Sequence, residues 1–348
     1  ISEKMRKQIR GLGRASTNAQ DGVSAVQTAE GALAEVHDML QRMNELAVQA
    51  ANGTNSTSDR QALQNEIDQL TTEMDRVAET TKFNETYLLK GDPKNTRKQI
   101  QLVAHDAGLK GSFSKTQEAT NTLPEKYTLT TNLPDLIQSD IVMVGGKQYI
   151  VADTADHNSN RYTKAEISLI MKDELVKANQ IGIDEAYQPT VTETSAGVFE
   201  IEAGKVDVAN ALSFNLHTGS DADMANKINV NIETMNAAYL GVQRLDVVGK
   251  EDGIGTAATY AIDAIADALQ KVSDQRSELG AIQNRLEHTI RNLDNVVENT
   301  QAAESQIRDT DMASAMVEYT KNNILAQAGQ SMLAQANQST QGVLSLLQ

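Results

Sequence analysis

The chain has 348 residues, with 31 Lys and Arg against 47 Asp and Glu and a formal net charge of −16. So acidic a chain excludes nucleic acid as a partner, because phosphate binding needs clustered cations. Cys is absent, which excludes disulfides, thiolate metal sites and Cys nucleophiles, and no apolar run is long enough to cross a bilayer, so no membrane partner is expected.

Aromatic residues make up only 3% of the chain and Trp is absent. That composition favours elongated helices with small-residue seams over one large globular core. Residues 1–51 carry an apolar heptad: Met5, Leu12, Ala19, Val26, Leu33, Leu40 and Ala47, with Ala15, Ala29, Val36, Met43 and Ala50 three residues behind five of them. This 3-4 spacing is the seam of helices packed side by side. The sequence opens at Ile1, already inside the periodic helix, and reads as lacking its extreme amino-terminal segment.

Asn52-Gly53-Thr54-Asn55-Ser56 predicts the turn that folds the chain back. Asp59 to Val77 follows as a helix with Leu63, Ile67, Leu70, Met74 and Val77 on one face, N-capped by Ser58 or Asp59. Residues 105–250 read as a small α+β insert. Asp140 to Val144 and Lys147 to Val151 flank Gly145-Gly146, a hairpin signal. Ala165 to Ala178 reads as a helix with Ile167, Ile170, Met171 and Leu175 on one side, and Val198 to Glu202 as a strand. Gly219 to Asp223 reads as a turn, and Ile228 to Ile232 as a returning strand.

Beyond the insert, Thr256 to Gly280 predicts a helix with Ile262, Ile265, Leu269 and Val272 on one face. A second heptad then runs through Leu279, Leu286, Leu293, Thr300 and Ile307, with Ile282, Val296 and Ala303 at the partner position. The last helix, Met312 to Leu347, mixes Met316, Ile324, Ala328, Leu333, Val343 and Leu346 with Gln, Asn, Ser and Ala, and Lys321 is its final charge. Such a helix suits close packing against copies of itself and is poorly suited to standing alone in water. The fold class is therefore mainly α: an elongated antiparallel helical bundle or coiled-coil rod built from both chain ends, with a small α+β insert domain. The expected domains are 1–104 and 251–305 for the two halves of the rod, 105–250 for the insert and 306–348 for the terminal helix.

Catalytic chemistry is not evident. His37, His105, His157, His217 and His288 form no His-Glu-x-x-His pair. Asp221, Asp223 and Asp252 match no twelve-residue calcium loop and read as solvated turn acids. Gly253-Ile254-Gly255 lacks the strand and helix of a nucleotide site, and no Gly-x-Ser-x-Gly elbow occurs. No enzyme activity, metal or cofactor is expected. Gln41, Arg42, Glu45 and Gln49 share the polar side of the first helix, with Glu66 on the antiparallel one. Taken alone, these are solvated faces with ion pairs worth ~0.3–0.5 kcal/mol each.

Several strings are more specific. They are Asn18 to Ser24, Thr28 to Leu33, Leu40 to Ser56, Leu279 to Leu286, Glu304 to Asp311, Ile324 to Gly329, Leu333 to Gln338 and Val343 to Leu347. In order and content they resemble bacterial flagellin, the subunit of the flagellar filament, over roughly residues 1–100 and 250–348. The resemblance implies a secreted, self-assembling protein that builds the extracellular filament for motility. It implies a rod domain from residues 1–100 and 250–305, a projecting variable insert, and an inner-core helix from about residue 306. It implies that an export chaperone covers that last helix before secretion, and it makes Ile324, Leu325, Ala328, Leu333, Val343, Leu346 and Leu347 the chaperone and filament-core interface. It also implies that a vertebrate Toll-like receptor grips the rod at Gln41, Arg42, Leu46 and Glu66, with Ile265, Leu279 and Arg285 on the carboxy-terminal side of the same surface. Asn44 stands where many strongly sensed flagellins carry Arg. The Ser and Thr of the insert are open to O-glycosylation.

Overall fold

A computed structural model describes residues 1–92, 94, 96–118, 124–183, 187–249, 255–309 and 311–346, with the side chains of 341–346 outside the description. Asp252, Gly253, Ile254 and Leu347 lie outside the described residues, as do the Val343 and Leu346 side chains.

Two long helices form the rod. α1 spans Ser2–Ala51 and α5 spans Thr256–Arg308, each roughly 75–80 Å long at 1.5 Å per residue. Their register is antiparallel, pinned by cross-helix bonds. Ser2 Oγ donates to Glu304 at 2.8 Å, Ser16 Oγ to Asp294 at 2.9 Å, and Arg276 to Glu30 at 3.4 Å. The predicted α1 seam is buried from Ala15 to Ala50, with ten positions at 1% exposure or less. α5 runs on through Gly280, where the sequence predicted an end. Leu279, Ile282 and Leu286 are buried on either side of that glycine, so packing overrides its low helix propensity. The second heptad is buried only as far as Leu293. Val296 and Ile307 are exposed and Ala303 is half-buried, contrary to expectation. There the rod thins to two helices, and two helices cannot cover each other all round; Met5 and Leu12 are half-buried for the same reason.

α2 (Thr57–Thr80) folds back along the upper part of α1. Its N-cap is Ser56, not Ser58 or Asp59. Ser56 Oγ accepts from Asp59 N, and Asp59 Oδ2 accepts from Ser56 N, a reciprocal capping box. The Ser56 hydroxyl and amide hold the Asp59 carboxyl below its ordinary range.

The strands divide between rod and insert. β1 (Lys82–Phe83) and β2 (Thr86–Tyr87) form a minimal hairpin after α2. β3 (Arg97–Gln101) pairs antiparallel with β11 (Lys205–Ala209). A four-stranded antiparallel sheet has the order β4 (Gly111–Gln117), β5 (Lys126–Thr131), β10 (Val198–Glu202), β9 (Thr190–Ser195). The β6 (Ile141–Val144) and β7 (Lys147–Val151) hairpin turns on Gly145-Gly146, both at positive φ as a type I′ turn requires, and β8 (Arg161–Tyr162) joins parallel to β7. α3 (Lys164–Asn179) buries Ile167, Met171 and Leu175 in the same core as Leu129, Phe199 and Ile201.

Hydrophobic packing puts the rod boundary elsewhere than the expected insert limit of residue 250. The hairpin of β12 (Leu212–His217) and β13 (Lys227–Ile232), the short α4 (Ala237–Leu240), and Val242, Leu245 and Val247 share one core with α1, α2 and α5. The second core is confined to residues 104–203 plus Tyr260 of α5. α6 (Met312–Leu346) follows α5, and Asp311 accepts the Ala313 and Ser314 amides at its start. From Met316 to Thr340 every described side chain of α6 is exposed.

Candidate recognition surface and assembly helix

Heptad geometry sends the α1 seam toward α5 and α2 and leaves Gln41, Arg42, Glu45 and Gln49 on the outer side. The return of α2 brings Glu66 alongside. Arg42 Nε and Nη2 reach Glu66 Oε1 at 2.9 and 2.8 Å, and Arg42 Nη1 reaches Glu45 Oε2 at 3.0 Å. These bonds, Glu66 first, raise the guanidinium above its ordinary pKa. Half of the Arg42 side chain remains open to solvent. A planar fork held by two carboxylates is oriented in advance, with directed donors to offer a partner. Gln41 Nε2 lies 2.9 Å from His37 Nε2 on the same face.

The expected site does not come together whole. Leu46, Ile265 and Leu279 are 1%, 0% and 0% exposed and belong to the rod core. They support the surface and cannot touch a partner. Leu279 was itself a heptad position, so burial follows from the same pattern that identified it. Arg285 is exposed, but the antiparallel register sets it beside residues near 21, roughly 30 Å along the rod from Arg42.

Arg60 is a residue the sequence pattern did not single out. It is 1% exposed, and its Nε donates to Ala50 O at 3.0 Å while Nη2 reaches Asn52 O at 3.4 Å. Those carbonyls end α1 and have no partner within their own helix. A cation from α2 thus closes α1 and ties the two helices at the turn that joins them. A buried Arg near the start of a helix carries no periodic signal, and exposure is the ordinary expectation for it.

A second charged cluster joins insert to rod. The Asn179 amide clasps the His105 backbone both ways, at 2.8 and 3.0 Å, and His105 Nε2 lies 3.4 Å from Asp267 of α5. One turn on, Lys271 donates to Tyr239 O at 2.9 Å. Burial raises Asp267 and Asp263 above the usual carboxylate range and pushes Lys271 down to about 8. The cavity bordered by His105, Asn179, Asp267 and Lys271 holds about 20 Å³, far below the several hundred Å³ of a ligand pocket. No His/Cys/Asp/Glu group among the described residues is arranged to hold a metal.

On α6, Ile324, Leu325 and Leu333 are 61%, 58% and 65% exposed, and Ala328 is exposed beside them. A rod closed by two chain ends, with a helix whose apolar side chains no other described residue buries, is built for assembly.

The comparisons with known proteins agree. The bacterial flagellin N-terminal helical region matches residues 1–94, and the bacterial flagellin C-terminal helical region matches residues 262–347. A flagellin of Clostridium tyrobutyricum is 42% identical, the alignment covering 98% of this chain and 88% of that one. A flagellin of Halalkalibacterium halodurans is 37% identical over 100% of this chain and 82% of its own length. A flagellar filament 31.3 kDa core protein of Treponema maltophilum is 36% identical over 100% and 84%. Fold and surface define a self-assembling structural subunit. The chain belongs to the bacterial flagellin family: it is a structural component of the flagellar filament and not an enzyme.

Proposed function

We propose that the monomer carries two separate binding faces, a receptor face on the rod and an assembly face on α6. The observation that carries the first is Arg42, fixed between Glu45 and Glu66 with half its surface free. Gln41, Arg42 and Glu66 are its contact residues, and the resemblance to flagellins names a vertebrate Toll-like receptor as the partner. Arg285 sits too far along the rod for the same small contact and belongs, if engaged, to a second one. Leu46, Ile265 and Leu279 act only by shaping the helices beneath. The same surface faces neighbouring subunits in a filament, so the receptor meets the monomer. The second face, Ile324, Leu325, Ala328 and Leu333, packs in the filament core after export and lies under the export chaperone before it. The assembled filament is extracellular and serves motility.

Surface plasmon resonance against the receptor ectodomain tests the first face. Arg42→Ala is expected to weaken binding by more than ~1 kcal/mol, as central Arg anchors do, with an unchanged thermal midpoint. Lys at that position restores the charge without the planar fork and should recover only part of the loss. An unchanged dissociation constant for Arg42→Ala removes the proposal.

A further inference from the structure

The α1–α2 turn holds the only Asn-Gly pair in the chain, Asn52-Gly53. We propose that this pair is a self-modifying site, where Asn52 converts to aspartate and isoaspartate in the folded protein ahead of every other asparagine.

The reaction needs a backbone amide nitrogen that can reach a side-chain carbonyl carbon. The Gly53 nitrogen loses its proton to solvent base and bonds to Asn52 Cγ, and Nδ2 leaves as ammonia. Water then opens the resulting five-membered imide. Breaking the Cγ–N bond gives aspartate; breaking the bond from nitrogen to the α-carbonyl carbon gives isoaspartate, with ammonia the only other product.

Three features of the turn favour this. Asn52 is the C-cap of α1, with φ −68° and ψ 122°, so the following amide has left the helical ladder. Asparagines inside α1, α2 and α5 precede amides locked in helical bonds. Around Gly53 the turn is open: Asn52, Gly53 and Thr54 are exposed, and a Cβ placed on Gly53 would meet nothing within 4 Å. The imide therefore has room to close. Finally, the Thr54 amide donates to Asn52 Oδ1 at 3.3 Å. That bond draws electron density from Cγ and meets the charge that develops on oxygen during attack. Closure also requires rotation about ψ of Asn52. It is opposed by two bonds to Asn52 O, from Asn55 N at 3.1 Å and Arg60 Nη2 at 3.4 Å.

The product changes the rod. A carboxylate at the C-terminus of a fifty-residue helix opposes the helix dipole and competes with Ala50 O for the Arg60 guanidinium. Isoaspartate also adds a backbone carbon to the turn that sets α2 against α1, and so moves Glu66 relative to Arg42, whatever that face binds.

The test ages the intact folded chain in mildly alkaline buffer. Trypsin then releases Met43–Arg60, which carries Asn44, Asn52 and Asn55. Tandem mass spectrometry locates the amide-to-acid mass gain, and an isoaspartyl methyltransferase labels the iso form. Conversion at Asn52 before any other asparagine, with isoaspartyl label, is expected. Gly53 is not at positive φ, so Gly53→Ala keeps the turn; its Cβ should slow conversion at least ~10-fold by hindering approach and stiffening the backbone. Conversion of Asn44, Asn55 or a distant asparagine at an equal rate, or a Gly53→Ala variant as fast as the parent, overturns the proposal.

Discussion

A single methylene decides how the β12–β13 hairpin sits on the rod. Gly22 of α1 faces Leu216, and a Cβ there would lie 2.2 Å from Leu216 Cδ1 and 3.3 Å from Cγ. Two terms compete in Gly22→Ala. The helix gains ~1 kcal/mol in propensity, while forcing a methyl into a packed contact costs ~1–3 kcal/mol. The contact should win, giving a net loss of about 1 kcal/mol in urea unfolding. In a Leu216→Ala background the clash is gone, and Gly22→Ala should become stabilising. That reversal of sign is the diagnostic, since merely additive effects would show the two residues do not touch. Arg60 gives a second test. Arg60→Met keeps the aliphatic stem and removes the donors to Ala50 and Asn52. Charge-assisted bonds of this kind contribute ~1.5–3 kcal/mol, so the unfolding free energy should fall by about 2 kcal/mol. A change below ~0.5 kcal/mol would mean that water satisfies those carbonyls as well as the guanidinium does. Neither contact was legible in the sequence: a helix glycine and a helix arginine reveal their partners only once distant segments are folded together.

At the scale of elements, the junction between insert and rod should be sensitive to alkaline pH. Lys271 is pushed by burial from an ordinary 10.5 to about 8. Its folded-state value lies below its unfolded one, so between about 8 and 10.5 the unfolded chain binds more protons. Stability from this group therefore rises with pH across that window. Tyr239, whose carbonyl accepts from Lys271, has its phenol raised to about 12 by burial and stays neutral there. Lys271→Met should flatten the rise, read as the difference between wild-type and variant denaturation midpoints at several pH values. An identical pH profile in both would show that Lys271 keeps its charge at no cost. Helices were the legible elements, because a seam buried along its length writes its period into the chain: the stripe from Ala15 to Ala50 predicted α1, and Leu279, Ile282 and Leu286 carry α5 past Gly280. Strands were half legible. Alternation at Ile228, Val230 and Ile232 says that one face of a returning strand is buried, but neither its hairpin partner β12 nor the rod core it packs in. The recognition face divides the same way. The Arg42–Glu66 pairing is legible from facing helix positions and its proposed role comes from the resemblance alone, whereas Leu46, Ile265 and Leu279 occupy buried core positions.

The whole molecule holds two regimes of stability. From Ser2 to Arg308, the helices are fixed by a shared core and by cross-helix bonds from Ser2–Glu304 to Arg276–Glu30. Among the described residues α6 has neither; Met316, Val317, Tyr319, Ile324, Leu325, Met332 and Leu333 are each more than half exposed. A helix stabilised only by its own backbone bonds and propensity is marginal in water and unfolds independently of any core. Removing everything after Asp309 should therefore leave the cooperative thermal midpoint of the monomer unchanged, while the helical far-ultraviolet signal falls by the share α6 contributes. Limited proteolysis of the intact chain should cut within α6 before it cuts α1, α2 or α5, because cleavage follows the local opening equilibrium. Exposed apolar length on this scale persists in a soluble protein where another copy or another chain is meant to cover it. A truncated chain with a lower midpoint, or an α6 as resistant to protease as α5, would mean that α6 folds back onto the rod in the monomer, and that assembly must first peel it away.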